Sequence, residues 1–212
     1  DRNTYSLNHG AFAKANESSA YWAGLISADG CIKKHQKYDY LLELASLDEC
    51  LINGFKNFLQ TNKPIDHSPT SNGNIRHTLC VSSPYLIEDL KLWNVEPKKS
   101  KWNKIPDVIR HDEKLLKYWL MGLIDGDGSI YITKSGNLGI QILASLQIID
   151  FVDKWLGIQS SRSSEKGIEN LWKLNYSGQY AVEFYNKVYQ SGFGLDRKWS
   201  KVKPFLNKVW HH

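Results

Sequence analysis

The sequence has few cysteines and no long apolar run. Its three cysteines among 212 residues, Cys31, Cys50 and Cys80, are widely spaced and never form a C-x-x-C pair. That spacing argues against a disulfide framework or a cysteine zinc site and is typical of reduced thiols. No apolar stretch approaches the ~20 residues of a membrane-spanning helix, and the start lacks a signal-peptide pattern. We therefore expect an intracellular protein with no membrane partner. The compartment, a prokaryotic cytoplasm or an organelle, is left open.

A strong excess of one charge is also absent. Lysine and arginine number 27 against 22 acidic residues, a formal net charge of +5. This mild excess permits nucleic-acid binding without indicating it. With 42% hydrophobic residues and eight tryptophans, the chain has enough apolar material for a folded core, which excludes a disordered chain.

What the sequence does contain is an internal repeat. The segment YWAGLISADGCI at 21–32 is matched by YWLMGLIDGDGSI at 118–130. Similar segments follow both copies in the same order, 95 to 99 residues apart (173 − 78 = 95 and 143 − 44 = 99 at the extremes). Retained order and spacing indicate a duplication, with an N-terminal repeat at 1–107 and a C-terminal repeat at 108–212.

Each repeat predicts the same α-β-β-α-β-β-α unit, and hence an α+β fold. The first helix, 17–29 or 113–127, is apolar on most faces and should be buried. Asp48 is placed to begin the second helix, and Ser83-Pro84 the third. The predicted strands are 31–37, 40–46, 63–68 and 74–82 in the first repeat, and 129–134 and 138–143 in the second.

Small residues recur four apart in both buried helices. Gly24 and Ala28 in the first helix correspond to Gly122 and Gly126 in the second. Small side chains at this spacing allow two helices to approach closely. We therefore predict that the two helices pack together through these four residues, about a pseudo-twofold axis.

Such packing would bring two carboxylates together, because Asp29 and Asp127 end the two helices. A helix C-terminus already carries partial negative charge, and two neighbouring carboxylates repel each other. A divalent cation relieves both problems, and oxygen ligands suit Mg²⁺. The DGDGS segment is not an EF-hand calcium loop, because Ile130 and Gly136 stand where that loop needs glycine and an acid.

The two motif copies resemble the signature helices of the LAGLIDADG homing endonucleases in their monomeric, two-repeat form, and the resemblance covers nearly the whole chain. Ser27 replaces the earlier acid of the motif in the first copy, whereas Asp125 keeps it in the second. The resemblance implies two pseudo-twofold α-β-β-α-β-β-α units, with the paired helices at the centre and a DNA-binding β-sheet saddle. It also implies a monomer. Because no splicing-domain residues are visible, a free-standing, intron-encoded enzyme is favoured over an intein.

The same resemblance implies a metal-dependent DNA endonuclease. Asp29 and Asp127, with the backbone carbonyls of Ala28 and Gly126, would hold Mg²⁺ between the scissile phosphates of a long, asymmetric double-stranded target. Both strands would be cut across the minor groove by phosphodiester hydrolysis, leaving 3′ overhangs. Mn²⁺ would substitute for Mg²⁺, and Ca²⁺ would support binding without cleavage.

Basic segments at 98–106 and 196–204 occupy equivalent places in the repeats. Members of the family keep a lysine near here that contacts the scissile region, so Lys99 and Lys198 are the predicted catalytic lysines. The alternative is a solvated charged loop, which recurrence in both repeats makes less attractive.

Alternation along the strands predicts which side chains face DNA. The phase of 139–145 is ambiguous, because either set of alternate residues is apolar enough to be buried. The predicted DNA-binding set is Lys33, His35, Lys37, Arg76 and Thr78 in the first repeat, and Tyr131, Thr133, Ser135, Lys173, Asn175 and Arg197 in the second.

Two other functions fit the same fold. One is an RNA-splicing maturase that binds intron RNA, and the other is a DNA-binding protein that does not cleave. A purely structural duplicated domain explains neither the paired carboxylates nor the paired basic segments. Retention of both Asp29 and Asp127 favours the endonuclease, because a pure binder has no use for two repelling carboxylates.

Overall fold

The repeated motif forms two long buried helices, α1 (Glu17–Asp29) and α4 (Glu113–Asp127), at the positions predicted. The structure is a computed structural model that describes residues 5–35, 39–96 and 104–208. The side chain of Asn16 caps α1 and that of Asp112 caps α4, each accepting from a backbone N–H three residues on. Strong caps and a continuous apolar run fix both ends of these helices.

Each buried helix leads into the same succession of elements, which confirms the predicted α-β-β-α-β-β-α order. The N-terminal unit continues with β1 (Cys31–His35), β2 (Asp39–Ser46), α2 (Glu49–Phe58), β3 (Asp66–Pro69), β4 (Ile75–Val81) and α3 (Pro84–Leu92). The C-terminal unit continues with β5 (Ser129–Ile132), β6 (Leu138–Ser145), α5 (Leu146–Leu156), β7 (Ser161–Ser164), β8 (Leu171–Ser177), α6 (Gln179–Val188), α7 (Asp196–Trp199) and a 3-10 helix (Ser200–Phe205).

The strands form two four-stranded antiparallel sheets of equivalent order. Sheet A runs β1-β2-β4-β3 and sheet B runs β5-β6-β8-β7. Helices α2 and α3 pack on one face of sheet A, and α5 and α6 on one face of sheet B. Leu42 and Leu44 of β2 are buried beneath those helices, so the alternate residues of each strand form the opposite, uncovered face.

Strand β5 is shorter than predicted. It ends at Ile132 because Thr133 begins a tight turn, in which the Thr133 N–H donates to Asn137 O (2.8 Å) and the Gly136 N–H donates to Thr133 O (2.9 Å). Gly136 adopts φ +77°, a conformation that favours glycine. Thr133 and Ser135 therefore lie in this turn and not on the strand, which corrects the predicted extent of 129–134.

Helices α1 and α4 pack in direct backbone contact. A Cβ atom at Gly24 would lie 2.0 Å from Trp119 O, and one at Gly122 would lie 2.0 Å from Tyr21 O. Tyr21 and Gly24 of α1 are equivalent in the repeat to Trp119 and Gly122 of α4, so the two contacts are the same contact with the helices interchanged. A twofold relation requires such reciprocal contacts. The α1–α4 pair is therefore the centre of a pseudo-twofold fold. In the part of the chain that the structure describes, no helix is long and apolar enough to cross a membrane.

Candidate functional site

The two terminal carboxylates lie where α1 and α4 meet. Asp29 and Asp127 are both exposed, although most of each helix before them is buried. A Cβ atom at Gly126 would lie 2.3 Å from Ala28 Cβ and 3.4 Å from Asp29 Oδ2. The carboxylate of one helix thus lies against the last turn of the other, in space that glycine leaves open.

A buried lysine covers the end of α4. The Lys198 ammonium donates to Ile124 O, Asp125 O and Gly128 O, each at 2.8 Å, and lies 3.4 Å from Gly126 O. Only 8% of Lys198 is exposed. Burial lowers the pKa of Lys198, while the carboxylates of Asp125, Asp29 and Asp127 oppose that shift. A cation at this helix end offsets both the dipole and the nearby negative charge.

Asp125 anchors this lysine-bearing segment to both central helices. Its Oδ2 accepts from Tyr21 Oη of α1 (2.8 Å) and from the Leu195 N–H (2.9 Å), and its Oδ1 accepts from Trp199 Nε1 (2.9 Å). Burial raises the pKa of Asp125, although these three donated hydrogen bonds and Lys198 act in the opposite direction. One carboxylate therefore holds α1, α4 and the segment before the 3-10 helix together.

Sequence reasoning gave Asp125 no role and missed Tyr21 and Trp199 altogether. The available signal was an acid inside an otherwise buried helix, since a buried carboxylate needs partners. In the first repeat Ser27 stands at the equivalent position and donates to Ala23 O of its own helix (2.8 Å). The two halves therefore differ next to the carboxylate pair, because Ser27 bonds within its own helix whereas Asp125 bonds to other elements.

Replacing Asp125 with asparagine is expected to destabilise the fold by roughly 1–3 kcal/mol, because the amide nitrogen would face a buried donor where a carboxyl oxygen now accepts a hydrogen bond. The effect should depend on pH. The folded-state pKa of Asp125 is raised, so the protein loses stability as pH rises from about 3.9, the ordinary aspartate pKa, through that higher value.

The variant lacks this titration, so the stability difference should be largest on the acid side. Urea unfolding across a pH series measures it, with Asp196→Asn, whose side chain is 89% exposed, as the control. An equal difference at every pH would contradict the assignment.

On the uncovered face of sheet A, the structure brings together the predicted residues that it describes. Register aligns β1, β2 and β4 so that Lys33 and His35 share this face with Arg76 and Thr78. Lys33 donates to Glu43 Oε1 of β2 (2.6 Å), which leaves its ammonium half exposed. Lys37 lies outside the described residues.

The uncovered face of sheet B is less basic. Its registers place Tyr131, Gln141 and Asn175 on this face, together with Lys173. Tyr131 lies over Gly139, where a Cβ atom would be 2.5 Å from Tyr131 Cζ. Lys173 pairs with Glu165, and the Gln141 amide donates to Asn175 Oδ1 (2.6 Å). The ambiguous phase of 139–145 is thereby resolved, with Ile140, Ile142 and Ala144 buried.

Thr133 and Ser135 lie apart from this face, in the turn beyond β5, where their hydroxyl oxygens are 2.9 Å apart. Arg197 donates from Nε to Asp48 Oδ2 (3.1 Å), which joins the C-terminal segment to the start of α2. Lys99 lies outside the described residues, so the structure places only one of the two predicted lysines.

The carboxylate pair suits a hard divalent cation. Both carboxylates are exposed, and each directly follows a carbonyl of its own helix end, Ala28 O or Gly126 O, the second of which also lies 3.4 Å from the Lys198 ammonium. Mg²⁺ prefers such oxygen ligands. Glycine at position 126 leaves space against Asp29 that a Cβ atom would fill. The residues present therefore fit a cation between the two helix ends.

Comparison with known proteins identifies a matching family model and a related sequence. A family model described as a LAGLIDADG-like domain matches residues 16–88. An uncharacterized protein of Methanocaldococcus jannaschii is 30% identical over 187 residues, which cover 82% of this chain and 65% of that protein. The chain thus spans less than two thirds of the length of this curated relative.

Solved structures share the fold at lower identity. The homing endonuclease I-WcaI bound to its DNA recognition sequence has a TM-score of 0.59 at 16% identity, with 91% of this chain and 87% of that chain covered. A variant of I-DmoI in complex with its target DNA in the presence of magnesium has a TM-score of 0.55 at 18% identity, with 87% and 99% covered. At these identities the likeness is one of fold.

Proposed function

We propose that this chain is a two-repeat protein of the LAGLIDADG type and that it is a site-specific DNA endonuclease. Its substrate is a long, asymmetric double-stranded target. The reaction is metal-dependent hydrolysis of one phosphodiester bond in each strand across the minor groove, leaving 3′ overhangs. We also propose that it acts as a monomer, with repeats at 1–107 and 108–212 each facing one half of the target.

The observation that carries this proposal is the pair of exposed carboxylates at the junction of two buried helices. Asp29 lies against Gly126 of the other repeat, and both Asp29 and Asp127 act on the charge of Lys198. Two carboxylates at one helix junction repel each other, and a bound divalent cation would relieve that repulsion further than the Lys198 ammonium alone. A purely structural helix pair has no use for this arrangement, whereas a metal-dependent nuclease has one.

Each carboxylate has the same proposed role on its own strand of DNA. Asp29 with Ala28 O, and Asp127 with Gly126 O, would hold Mg²⁺. The chemistry that such a cation supplies when bound is activation of water and stabilisation of charge on the leaving oxygen. The protein's own contribution is a fixed distance between the two carboxylates, set by backbone contact of α1 with α4.

Lys198 is proposed to position this machinery. Its ammonium is bound to the carbonyls that end α4, so it fixes the direction of Gly126 O and Asp127 without itself facing solvent. We therefore propose that Lys198 holds the end of α4, in place of the catalytic role predicted from the sequence. Any direct contact with the scissile region is left to Lys99 in this proposal.

The test is a cleavage assay on a plasmid that carries a selected target site. Mg²⁺ and Mn²⁺ should both support linearisation, Ca²⁺ should support binding alone, and EDTA should stop cleavage. Tight binding without cutting in Mg²⁺ or Mn²⁺ would favour the non-cleaving binder, and preferential binding of structured intron RNA would favour the maturase.

Arg76→Ala and Lys33→Ala are expected to weaken DNA binding, because both side chains lie on the uncovered face of sheet A. A contact to phosphate would appear as a decrease of about 0.9 in the slope of log affinity against log salt. A contact to a base would instead cost about 1–3 kcal/mol for the matched base alone.

Lys91→Ala is the matched control, since Lys91 is an exposed lysine of α3 paired with Glu88 on the covered side. Fluorescence anisotropy over a salt series measures all three variants. Equal affinity for Arg76→Ala, Lys33→Ala and the unmodified protein would show that DNA binds a different face.

A further inference from the structure

Outside the carboxylate pair, three metal-ligating side chains meet at the outer end of sheet A. Glu49, His67 and His77 each offer a ligand atom, and these atoms all lie within 4.8 Å of one another. The two histidines face each other across the β3–β4 pair, with Nδ1 atoms 2.8 Å apart. Glu49 is the first residue of α2. Three separate elements thus converge on one point.

This cluster lies on the opposite face of the sheet from the proposed DNA-binding residues. Side chains alternate along β4, so His77 shares its side with the buried Leu79, and Arg76 and Thr78 take the other. Glu49 reaches the histidines because α2 covers that same side. The cluster is therefore separate from the junction of α1 and α4.

We propose that Glu49, His67 and His77 form a binding site for a divalent transition-metal ion of the Zn²⁺ class. Two imidazoles and one carboxylate are ligands that suit such ions, whereas Mg²⁺ and Ca²⁺ prefer oxygen alone. The inference does not depend on DNA cleavage.

Ligation requires a modest rearrangement of all three side chains, whose ligand atoms lie within 4.8 Å of one another. With Zn–N bonds of about 2.05 Å, tetrahedral ligation separates two nitrogens by roughly 3.3 Å, so the rings would move apart by about half an ångström. Without metal, one ring donates its Nδ1 proton to the other. On binding, both Nδ1 lone pairs form bonds to the ion and the displaced proton moves to Nε2 of the same ring, which leaves both rings neutral.

A metal here would tie the outer hairpin to a helix. All four residues of the edge strand β3 are exposed, so this strand has little apolar packing to hold it. Bound metal would link β3 and β4 to the start of α2 and order the strand that carries Arg76. Amide hydrogen exchange of residues 66–68 and 75–81 should therefore slow when zinc is added.

The test is isothermal titration with Zn²⁺ in excess Mg²⁺, which occupies oxygen-only sites. The unmodified protein and His111→Ala, a control at an exposed histidine outside the cluster, should each bind one ion at this site with equal affinity. His67→Ala combined with His77→Ala should lose at least about tenfold in affinity. Glu49→Gln should also lose affinity, and because Glu49 is exposed this substitution should leave the fold intact. His211 and His212 are kept in every protein.

Equal zinc affinity in the unmodified protein, the double histidine variant and Glu49→Gln would overturn the proposal. An absence of zinc binding would also overturn the proposal. The histidine pair would then serve only as a hydrogen bond between β3 and β4. Slower exchange confined to the β3–β4 hairpin, and lost in the double variant, is the result that supports it.

Discussion

Gly122→Ala is expected to unfold much of the protein at temperatures where the unmodified chain is folded. The added Cβ atom would lie 2.0 Å from Tyr21 O and 2.8 Å from Leu25 N. Both atoms are backbone of a buried helix, so no side-chain rotation relieves the collision and the two central helices must separate. We expect a cost at or above the upper end of the roughly 1–3 kcal/mol typical of overpacked cores.

Thermal unfolding followed by circular dichroism measures this cost. Gly10→Ala is the matched control, because the nearest atom to a Cβ at that position is 3.8 Å away, an ordinary contact. Gly24→Ala should behave like Gly122→Ala, since its Cβ would meet Trp119 O at 2.0 Å. A melting temperature for Gly122→Ala close to that of the control would contradict the close packing of α1 and α4.

Asp29→Asn and Asp127→Asn are each expected to reduce double-strand cleavage by at least about a hundredfold, as loss of a metal-binding group does. Both side chains are exposed at helix ends, so removal of either charge should leave the fold intact. DNA affinity should be retained or should rise, because a negative charge that faces phosphate has gone.

Asp107→Asn serves as the control, since Asp107 is an exposed acid between the repeats that pairs with Lys104 and Arg110. Cleavage and binding are measured on the same DNA in Mg²⁺. Full cleavage by either site variant would remove that carboxylate from the mechanism, and loss of DNA binding in step with cleavage would give it a structural role instead.

Local signals explain why the sequence predicts the fold so closely. The ends of α1 and α4 are marked by Asn16 and Asp112 before the helix and by glycines after it. Small residues four apart predict the packing of the two helices without knowledge of the rest. Duplication adds further information, because a pattern that is ambiguous in one repeat can be compared with the equivalent pattern in the other.

The remaining features depend on contacts between segments far apart in sequence. Lys198 bonds to carbonyls about seventy positions earlier in the chain, and Asp125 accepts from Tyr21 across the repeat boundary; neither pairing leaves a local pattern. The buried side of β6 is decided by its pairing with β8. The turn that ends β5 at Ile132 is formed by backbone hydrogen bonds. A polar segment in the sequence predicts a turn there but not the residue at which the strand ends.

The central claim is that this protein cuts both strands of a specific duplex by means of Asp29 and Asp127. The most direct measurement is selection of cleaved molecules from a randomised duplex library in Mg²⁺, run beside the Asp29→Asn, Asp127→Asn double variant, with the cut ends sequenced. We expect one long asymmetric sequence with staggered cuts and 3′ overhangs, recovered with the unmodified protein and not with the double variant. Recovery of the same cut sequence with the double variant, or in EDTA, would contradict the central claim, as would a protein that enriches a bound sequence and never cuts it.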